Sequence, residues 1–416
     1  MTVFRRLKYH ILVFFSVIGP GFITAVVDND AGGIFTYSQA GARWGYLPLW
    51  TLLPITLLLI VTQEMCSRMG AVTEKGLSDL IREEFGLRVT FFMMVALVAA
   101  NLTNVMANFA GVASSLELFH VSRYVSVPLV ALAVWLLIVK GTYASVEKVF
   151  LFACSLYVCY IASGILIKPD WKEAAIYSVR PVLMLDPAYI AMLIGMVGTS
   201  VAPWMQFYLQ AAIVEKGVTA KEYAESRIEV IVGCVVMSVI AFFIIVSCAG
   251  AIWSNSPQDI VDAASAANGL RPFGDWAYLL FCAGLLNASF FAACILPLST
   301  AYTVCEGLGF ESGVNRRFRE APIFYWLFTG LIVVGAGVIL LPGFPLVKMI
   351  LFSQVVNGVL LPFVLIFMIL LVNKKRVMEE WVNSRAYNVV AWAAVVIMIG
   401  LTAALVAITL RDLGLH

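Results

Sequence analysis

Charge is what this sequence has least of. Only 12% of its 416 residues are Asp, Glu, Lys or Arg, whereas 62% are apolar, and the mean hydropathy is +0.95. Soluble globular domains carry about 25% charged residues. The composition therefore excludes an ordinary soluble domain and predicts an integral membrane protein. The net charge of +2 gives no sign of a nucleic-acid partner.

Histidine and paired cysteines are also lacking. The three histidines, His10, His120 and His416, fall in terminal or loop stretches, so none is available as a ligand or proton relay in the middle of the membrane. The eight cysteines show no CxxC spacing and are predicted to be small buried apolar side chains. We therefore expect no resident cofactor. A membrane enzyme is disfavoured because the apolar stretches contain no Ser/His/Asp set.

Apolar stretches long enough to be membrane helices dominate the chain. Crossing the hydrocarbon core takes about 20 mostly apolar residues, and we count eleven such stretches: 12–41, 47–67, 89–113, 125–139, 147–167, 187–213, 228–253, 274–307, 321–341, 344–371 and 386–410. The connections are too short for a soluble domain, so residues 1–416 are predicted to form a single transmembrane domain. Residues 168–186 are predicted to carry a short surface helix between their prolines.

The distribution of basic residues predicts the orientation in the membrane. Most Lys and Arg residues fall in loops on the side of the N-terminus, including the clusters at 315–319 and 373–376. Basic loops stay in the cytoplasm, so we expect a cytoplasmic N-terminus and an outside C-terminus. We expect a monomer in the lipid bilayer of a bacterial cytoplasmic membrane.

Two of the apolar stretches are interrupted. The first contains GPG at 19–21 and DNDAGG at 28–33, and the sixth contains GMVGTSVAPWMQ at 195–206. In transporters built from inverted five-helix repeats, interrupted segments at matching positions of the two halves mark the substrate site. Unwound backbone is tolerated there because it lines a cavity or holds an ion.

Asp28 and Asp30 lie inside the first interruption. One ionised Asp at the centre of a membrane helix costs roughly 2.5–3.5 kcal/mol on insertion scales. No Lys or Arg lies deep in any of the eleven stretches, so a buried ion pair within the protein is disfavoured. A bound cation is the natural partner. Carboxylate and backbone carbonyl oxygens suit Mg²⁺, Ca²⁺ or Mn²⁺.

The remaining deep polar side chains are mostly neutral amides. They are either part of a substrate path or hydrogen-bonded between helices, and they comprise Asn101, Asn104 and Asn108 on one face of the third stretch, Gln206 after the second interruption, and Gln354 with Asn357 on the tenth. Glu64 and Arg68 are four residues apart and are predicted to form a local ion pair. Trp204, in the second interruption, either packs against neighbouring side chains or covers the cavity.

Several motifs resemble those of the NRAMP divalent-metal transporters. The segment 19–46 resembles their first helix, which reads GPGF, then DPGN in an unwound turn, then QAGA. The sixth stretch resembles their GAT-x-MPHN motif, residues 353–363 resemble the tenth helix, and residues 70–86 resemble the loop after the second.

The resemblance implies an all-α, LeuT-like fold with unwound helices 1 and 6. The two inverted five-helix repeats would occupy 12–167 and 187–371, and 386–410 would be an additional eleventh helix. Asp30 falls at the family's metal-ligating aspartate. The predicted metal ligands are Asp30, Asp28, Gly33, Ala202 and Gln206. The predicted substrate path adds Ala25, Asn29, Trp204, Asn101, Asn104, Gln354 and Asn357.

Departures from the family pattern concern the choice of ion. Ala202 falls where the family has a methionine ligand, and Gly33 falls where it has an asparagine. Without a sulfur ligand and with the extra charge of Asp28, the site offers hard oxygen ligands and more negative charge. Alanine in place of methionine also leaves the site wider. Mg²⁺ loses its water reluctantly, so the sequence favours a partly hydrated Mg²⁺, with Mn²⁺ tolerated, as in the NRAMP-related magnesium transporters that this pattern resembles.

Other departures concern proton coupling. Asn101 and Asn104 fall where proton-coupled members of the family carry acids, Trp204 replaces their histidine, and no Arg or Lys occurs within 323–341. Amides cannot relay protons. We therefore expect uptake by alternating access without proton coupling.

Three alternatives remain from the sequence. The first is a proton-coupled Mn²⁺/Fe²⁺ importer that replaces its missing ligands from elsewhere, for instance Gln206. The second is a sodium-coupled amino-acid carrier of the same fold. The third is a channel, which the two matching interruptions disfavour.

Overall fold

The regular structure of the chain is helical throughout the described residues. The computed structural model describes residues 19–254, 259–260 and 275–412. The helices are α1 (Pro20–Val27), α2 (Ala31–Trp44), α3 (Leu52–Thr73), α4 (Leu77–Phe85), α5 (Leu87–Glu117), α6 (Arg123–Lys140), α7 (Tyr143–Leu156), α8 (Val158–Leu166), α9 (Trp171–Val179), α10 (Pro187–Ser200), α11 (Pro203–Lys216), α12 (Tyr223–Cys248), α13 (Asp275–Leu308), α14 (Pro322–Ile339), α15 (Leu346–Val372), α16 (Lys375–Met378) and α17 (Arg385–Asp412). His10, His416 and the predicted start of the first stretch at residue 12 lie outside the described residues.

Ten helical stretches of the described chain are long and apolar enough to cross a membrane. With the shorter pair α1 and α2, they account for the eleven predicted stretches. Many large apolar side chains on their outer faces are exposed, such as Leu129, Phe152 and Val396. Exposed apolar faces of this extent are typical of membrane or protein contacts, and the ten long apolar helices bear out the prediction of a multi-pass membrane protein.

Both predicted interruptions are present. α1 ends at Val27 and α2 begins at Ala31, while α10 ends at Ser200 and α11 begins at Pro203. Proline suits the first position of a helix because its missing N–H would be unpaired there in any case. α1 packs against α11 and α2 against α10, so the two broken segments lie side by side.

The connections hold one expected and one unexpected helix. α9 is the surface helix predicted within 168–186, and the Asp170 side chain caps it by accepting from the Glu173 N–H at 2.9 Å. α4 lies within 68–88 and was not predicted, because its nine residues are amphipathic and too few to span the membrane. Its buried Leu77, Leu80 and Ile81 face the core.

The predicted pair of Glu64 and Arg68 is confirmed, and it also has a tertiary role. Arg68 Nη2 donates to Glu64 Oε2 at 3.2 Å, and Nη1 donates to the Trp381 carbonyl at 3.0 Å. The Tyr223 hydroxyl donates to the same Glu64 carboxylate. The ion pair therefore joins α3 to α12 and to the segment before α17.

Closely packed glycines bring α10 against α15 near the second interruption. A methyl group on Gly198 would meet the backbone of Gln354 and Gly358, with the Gly358 Cα at 2.8 Å. On α14, by contrast, a methyl group on Gly330 would have no neighbour within 4 Å.

We predict that Gly198→Ala destabilises the protein. Its methyl group meets rigid backbone, and overpacking of this kind costs about 1–3 kcal/mol. The matched control Gly330→Ala adds the same methyl group in open space, so it should be neutral or stabilising through helix propensity. Thermal unfolding of both variants in detergent checks this. Equal melting temperatures would contradict the close approach of α10 and α15.

Candidate metal centre

Asp30 is held rigidly at the start of α2. Its Oδ1 accepts from the Gly33 N–H at 2.9 Å, which caps the helix, and its Oδ2 accepts from Asn108 Nδ2 at 2.9 Å. The Asn108 oxygen in turn accepts from the Ala31 N–H at 3.2 Å. Asn108 on α5 therefore fixes both the carboxylate and the turn that carries it.

Asp28 is buried without this support. Its side chain is 2% exposed, and its Oδ2 has no hydrogen-bond partner among the described residues. None of the ion pairs between described residues includes Asp28 or Asp30. A buried charge without a partner is strongly unfavourable, so the first interruption is a place where a cation would be stabilised.

Neutral oxygens without hydrogen-bond donors accompany the aspartates. Within the described residues, Asn29 Oδ1 and Thr199 Oγ1 are buried and have no partner. The Asn29 amide nitrogen donates to the Met237 carbonyl at 3.2 Å, which ties the interruption to α12. Buried polar atoms normally have partners, and hard oxygens of this kind suit a hydrated cation.

Gly33 leaves space that another residue would fill. A Cβ at this position would lie 2.7 Å from the Asp28 carbonyl oxygen and 3.2 Å from Thr199 Oγ1. The first interruption and the end of α10 therefore meet at Gly33. Thr199 was not among the predicted site residues, although the Thr-Ser pair in the second interruption was a signal for it.

At the second interruption, the oxygens of both predicted ligands, Ala202 and Gln206, already accept hydrogen bonds. Ala202 is 1% exposed, and its carbonyl accepts from the Met205 N–H at 3.1 Å and from Gln206 Nε2 at 3.4 Å. The Gln206 oxygen accepts from Gln63 Nε2 at 3.0 Å and faces Cys66 on α3. Gln206 could ligate an ion through this oxygen only after these bonds break.

Trp204 has a packing role in this structure. Its indole is 2% exposed and tilts against Tyr208 at 6.3 Å between ring centroids. Ser299 on α13 donates to its carbonyl at 3.1 Å. Of the two interpretations from the sequence, these contacts favour packing.

The amide side chains form two separate groups. Asn104 and Asn357 exchange hydrogen bonds at 2.8 and 3.1 Å, and the Gln354 oxygen accepts from Asn357 at 3.1 Å. The Gln354 amide lies against Gly32, beside Asp30. Asn101 instead donates to Thr300 on α13 at 2.9 Å, while its own oxygen has no partner among the described residues.

Further contacts join the helices near the two interruptions. Tyr37 and Ser200 share a hydrogen bond of 2.6 Å that joins α2 to α10. Near the start of α1, Glu229 accepts from the Gly21 N–H at 3.1 Å, and Lys216 donates to Glu147 at 2.9 Å. Ala25, predicted to lie on the substrate path, is fully buried against Gly233 of α12.

The site can hold a cation only through mixed oxygen ligands. Over the described ranges there is no group of three or more His, Cys, Asp or Glu that could bind a metal. Two carboxylates would have to be completed by backbone carbonyls, neutral side chains and water. Such a ligand set suits hard cations such as Mg²⁺, Ca²⁺ or Mn²⁺ and disfavours soft metals.

The chain is similar to one family of known proteins along most of its length. The family model described as "Natural resistance-associated macrophage protein-like" matches residues 21–408. Proteins named "Divalent metal cation transporter MntH" are 24% identical over 401 residues in Burkholderia ambifaria, covering 94% of this chain and 88% of that protein, and 29% identical over 400 residues in Ralstonia nicotianae, covering 90% and 86%.

Solved structures confirm the predicted LeuT-like fold. A manganese transporter from Eremococcus coleocola superposes with a TM-score of 0.72 at 21% identity, covering 92% of this chain and 84% of that one. MhsT, in complex with L-phenylalanine, superposes with a TM-score of 0.58 at 14% identity, covering 92% and 98%.

We predict that Asn108→Ala weakens divalent-cation binding by about 10–100-fold, as is typical when a residue that orients a ligand is lost. The variant removes the donor to Asp30 and the acceptor for the Ala31 N–H. Asn101→Ala is the matched control, because Asn101 bonds to Thr300 instead. Isothermal titration of purified protein checks this, and equal affinities in the two variants would contradict the orienting role.

Proposed function

This chain belongs to the NRAMP family, whose members are transporters and not enzymes, and we propose that it takes up Mg²⁺, with Mn²⁺ as a second substrate. The printed names of its relatives, divalent metal cation transporters and a manganese transporter, support this class of cargo. The metal is substrate, and no resident cofactor is proposed.

The pair of buried, uncompensated carboxylates carries the proposal. Asp28 and Asp30 lie in a helix interruption with no basic partner among the described residues. A doubly charged ion removes the penalty of burying both charges. The proposed ligands are Asp30, Asp28, Gly33, Ala202 and Gln206, with the glycine and alanine contributing backbone oxygen only.

The proposed selectivity for Mg²⁺ follows from the absence of a sulfur ligand. Ala202 offers no sulfur, so a soft ion such as Cd²⁺ gains no advantage. Mg²⁺ dehydrates reluctantly and usually keeps several waters in protein sites. The unpartnered oxygens of Asn29 and Thr199 are suitable acceptors for such waters.

We further propose that transport is not coupled to protons. Asn101 and Asn104 are amides held in hydrogen bonds between helices, and Trp204 is packed. None of the three can accept and release a proton at physiological pH. The driving force is then the ion gradient and the membrane potential, which supplies about 2.3 kcal/mol per charge per 100 mV.

The proposed setting is a bacterial cytoplasmic membrane with the N-terminus inside and the C-terminus outside. The proposed working unit is a monomer of two inverted repeats, 12–167 and 187–371, with 386–410 as an added helix. This setting rests on the basic loops of the sequence and on the LeuT-like fold.

A proton-coupled Mn²⁺ importer is the second candidate. Similarity to relatives named MntH and to a manganese transporter favours its cargo, Mn²⁺. It requires a proton acceptor other than Asn101, Asn104 and Trp204, and it would be expected to keep a high affinity for soft ions.

We predict that liposomes containing the protein take up Mg²⁺ and Mn²⁺ without acidification of the lumen, and that Asp30→Asn abolishes uptake because the site loses half of its charge. Asp170→Asn, which changes the cap of surface helix α9, is the matched control and should transport normally. Lumenal dyes for metal and pH check this. Metal-dependent acidification would instead establish the second candidate.

We also predict that Ala202→Met raises the affinity for Cd²⁺ relative to Mg²⁺, because it restores a soft thioether ligand. Ala202→Leu is similar in size but lacks sulfur, so it controls for packing. Competition by Cd²⁺ for Mn²⁺ uptake measures the effect. Identical behaviour of the two variants would show that residue 202 does not face the ion.

A further inference from the structure

Four basic side chains at one corner of the molecule have no acidic partner. Lys140 ends α6, Lys148 lies on the second turn of α7, and Arg317 and Arg319 lie in the loop before α14. All four are exposed, and none pairs with a carboxylate of a described residue. We call these four residues the basic corner.

Two acids near the basic corner, Glu311 and Glu147, have basic partners outside it, and Glu320 keeps a single negative charge beside the four positive ones. Glu311 pairs with Arg316 at 3.3 Å, and Glu147 pairs with Lys216 at 2.9 Å. Glu320 accepts from the backbone N–H of Arg317 at 2.7 Å. The corner therefore carries an excess of positive charge at the surface.

Hydrogen bonds hold the parts of this corner together. The Tyr143 N–H donates to Asn315 Oδ1 at 3.1 Å, which joins the start of α7 to the loop before α14. The Tyr325 hydroxyl donates to the Arg316 carbonyl at 2.8 Å, and Trp135 donates to Thr329 at 2.9 Å. These bonds place the end of α6 beside the start of α14.

Aromatic residues mark the level of the membrane surface at this corner. Phe318 stacks on Tyr325 with centroids 5.3 Å apart and lies edge-on to Trp326 at 5.8 Å. Trp326 is 65% exposed. Exposed Trp and Tyr beside apolar helices are typical of the interface between lipid headgroups and hydrocarbon.

An apolar surface continues from the aromatic residues along both helices. On α6 the side chains of Leu132 and Leu136 are exposed, and on α14 that of Val333 is exposed. Because α6 and α14 pack against each other, these side chains flank a seam that faces the hydrocarbon.

We propose that the basic corner binds the headgroup of an anionic phospholipid, whose acyl chains lie along the seam between α6 and α14. Guanidinium and ammonium groups bind phosphate by charge-assisted hydrogen bonds, and clustered basic residues next to membrane helices attract anionic lipid. A zwitterionic headgroup gains little from the excess charge. None of the four residues of the basic corner is a proposed metal ligand or path residue, and the proposal does not depend on the proposed function.

Native mass spectrometry of the full chain, titrated with phosphatidylglycerol or phosphatidylcholine, tests the proposal. We expect the protein to retain phosphatidylglycerol preferentially. Replacing the basic corner (Lys140→Gln, Lys148→Gln, Arg317→Gln and Arg319→Gln together) should reduce that retention by about tenfold or more. Retention of phosphatidylcholine should be unchanged.

A charge-matched control removes exposed basic residues elsewhere. Lys168→Gln, Lys172→Gln and Arg180→Gln, next to or within α9, are combined with Lys348→Gln on α15. This fourfold control should leave lipid retention unchanged. If the fourfold basic-corner variant does not fold, as judged by gel filtration, Arg317→Gln with Arg319→Gln alone should still lower retention.

Equal loss of lipid retention in the control would overturn the proposal, as would undiminished retention in the folded basic-corner variant. Displacement of the lipid by soluble glycerol phosphate at equal concentration would also contradict it, because the seam would then contribute nothing. No metal is present in this experiment, so a failure of Mg²⁺ transport would not affect its outcome.

Discussion

The negative charge of Asp28 and Asp30 has no counter-charge among the described residues, and the surrounding helices are arranged around that charge. The unwound turn places both carboxylates inside the protein, away from lipid. Asn108 on α5 then donates to the Asp30 carboxylate and accepts from the Ala31 N–H, while an oxygen of Asp28 remains unpartnered. The Asp30 carboxylate is thus fixed in orientation, and the Asp28 carboxylate has an oxygen available to bind an ion. This combination suits an ion that is held briefly and then released.

Close packing around the two interruptions keeps this arrangement in place. The backbone of α10 approaches that of α15 at Gly198 and Gly358, and Gln354 lies directly against Gly32. The hydrogen bond between Tyr37 and Ser200 joins the helices on either side. Because packed cores change between discrete arrangements rather than deforming continuously, release of the proposed ion would require several of these contacts to change together.

The sequence predicted the fold well where its signals were local. Long apolar stretches marked the membrane helices. Aspartates beside glycines marked the first interruption at 28–33, and glycines with a proline marked the second at 195–206. The role of Asn108 could not be predicted from local signals. The sequence shows that it shares one helix face with Asn101 and Asn104. Only the packing of α5 against α2 shows that, of these three, Asn108 alone bonds to Asp30. The direction of the Gln206 oxygen likewise depends on Gln63, which lies far away in the sequence. Helix α4 was not predicted because an amphipathic segment of nine residues resembles a polar loop in composition.

The position of the ion is the central claim, and anomalous diffraction from crystals grown with Mn²⁺ tests it most directly. A single strong peak within bonding distance of the Asp30 carboxylate, absent from crystals of Asp30→Asn, is the predicted result. A peak away from the two interruptions, or one that persists unchanged in the variant, would contradict it.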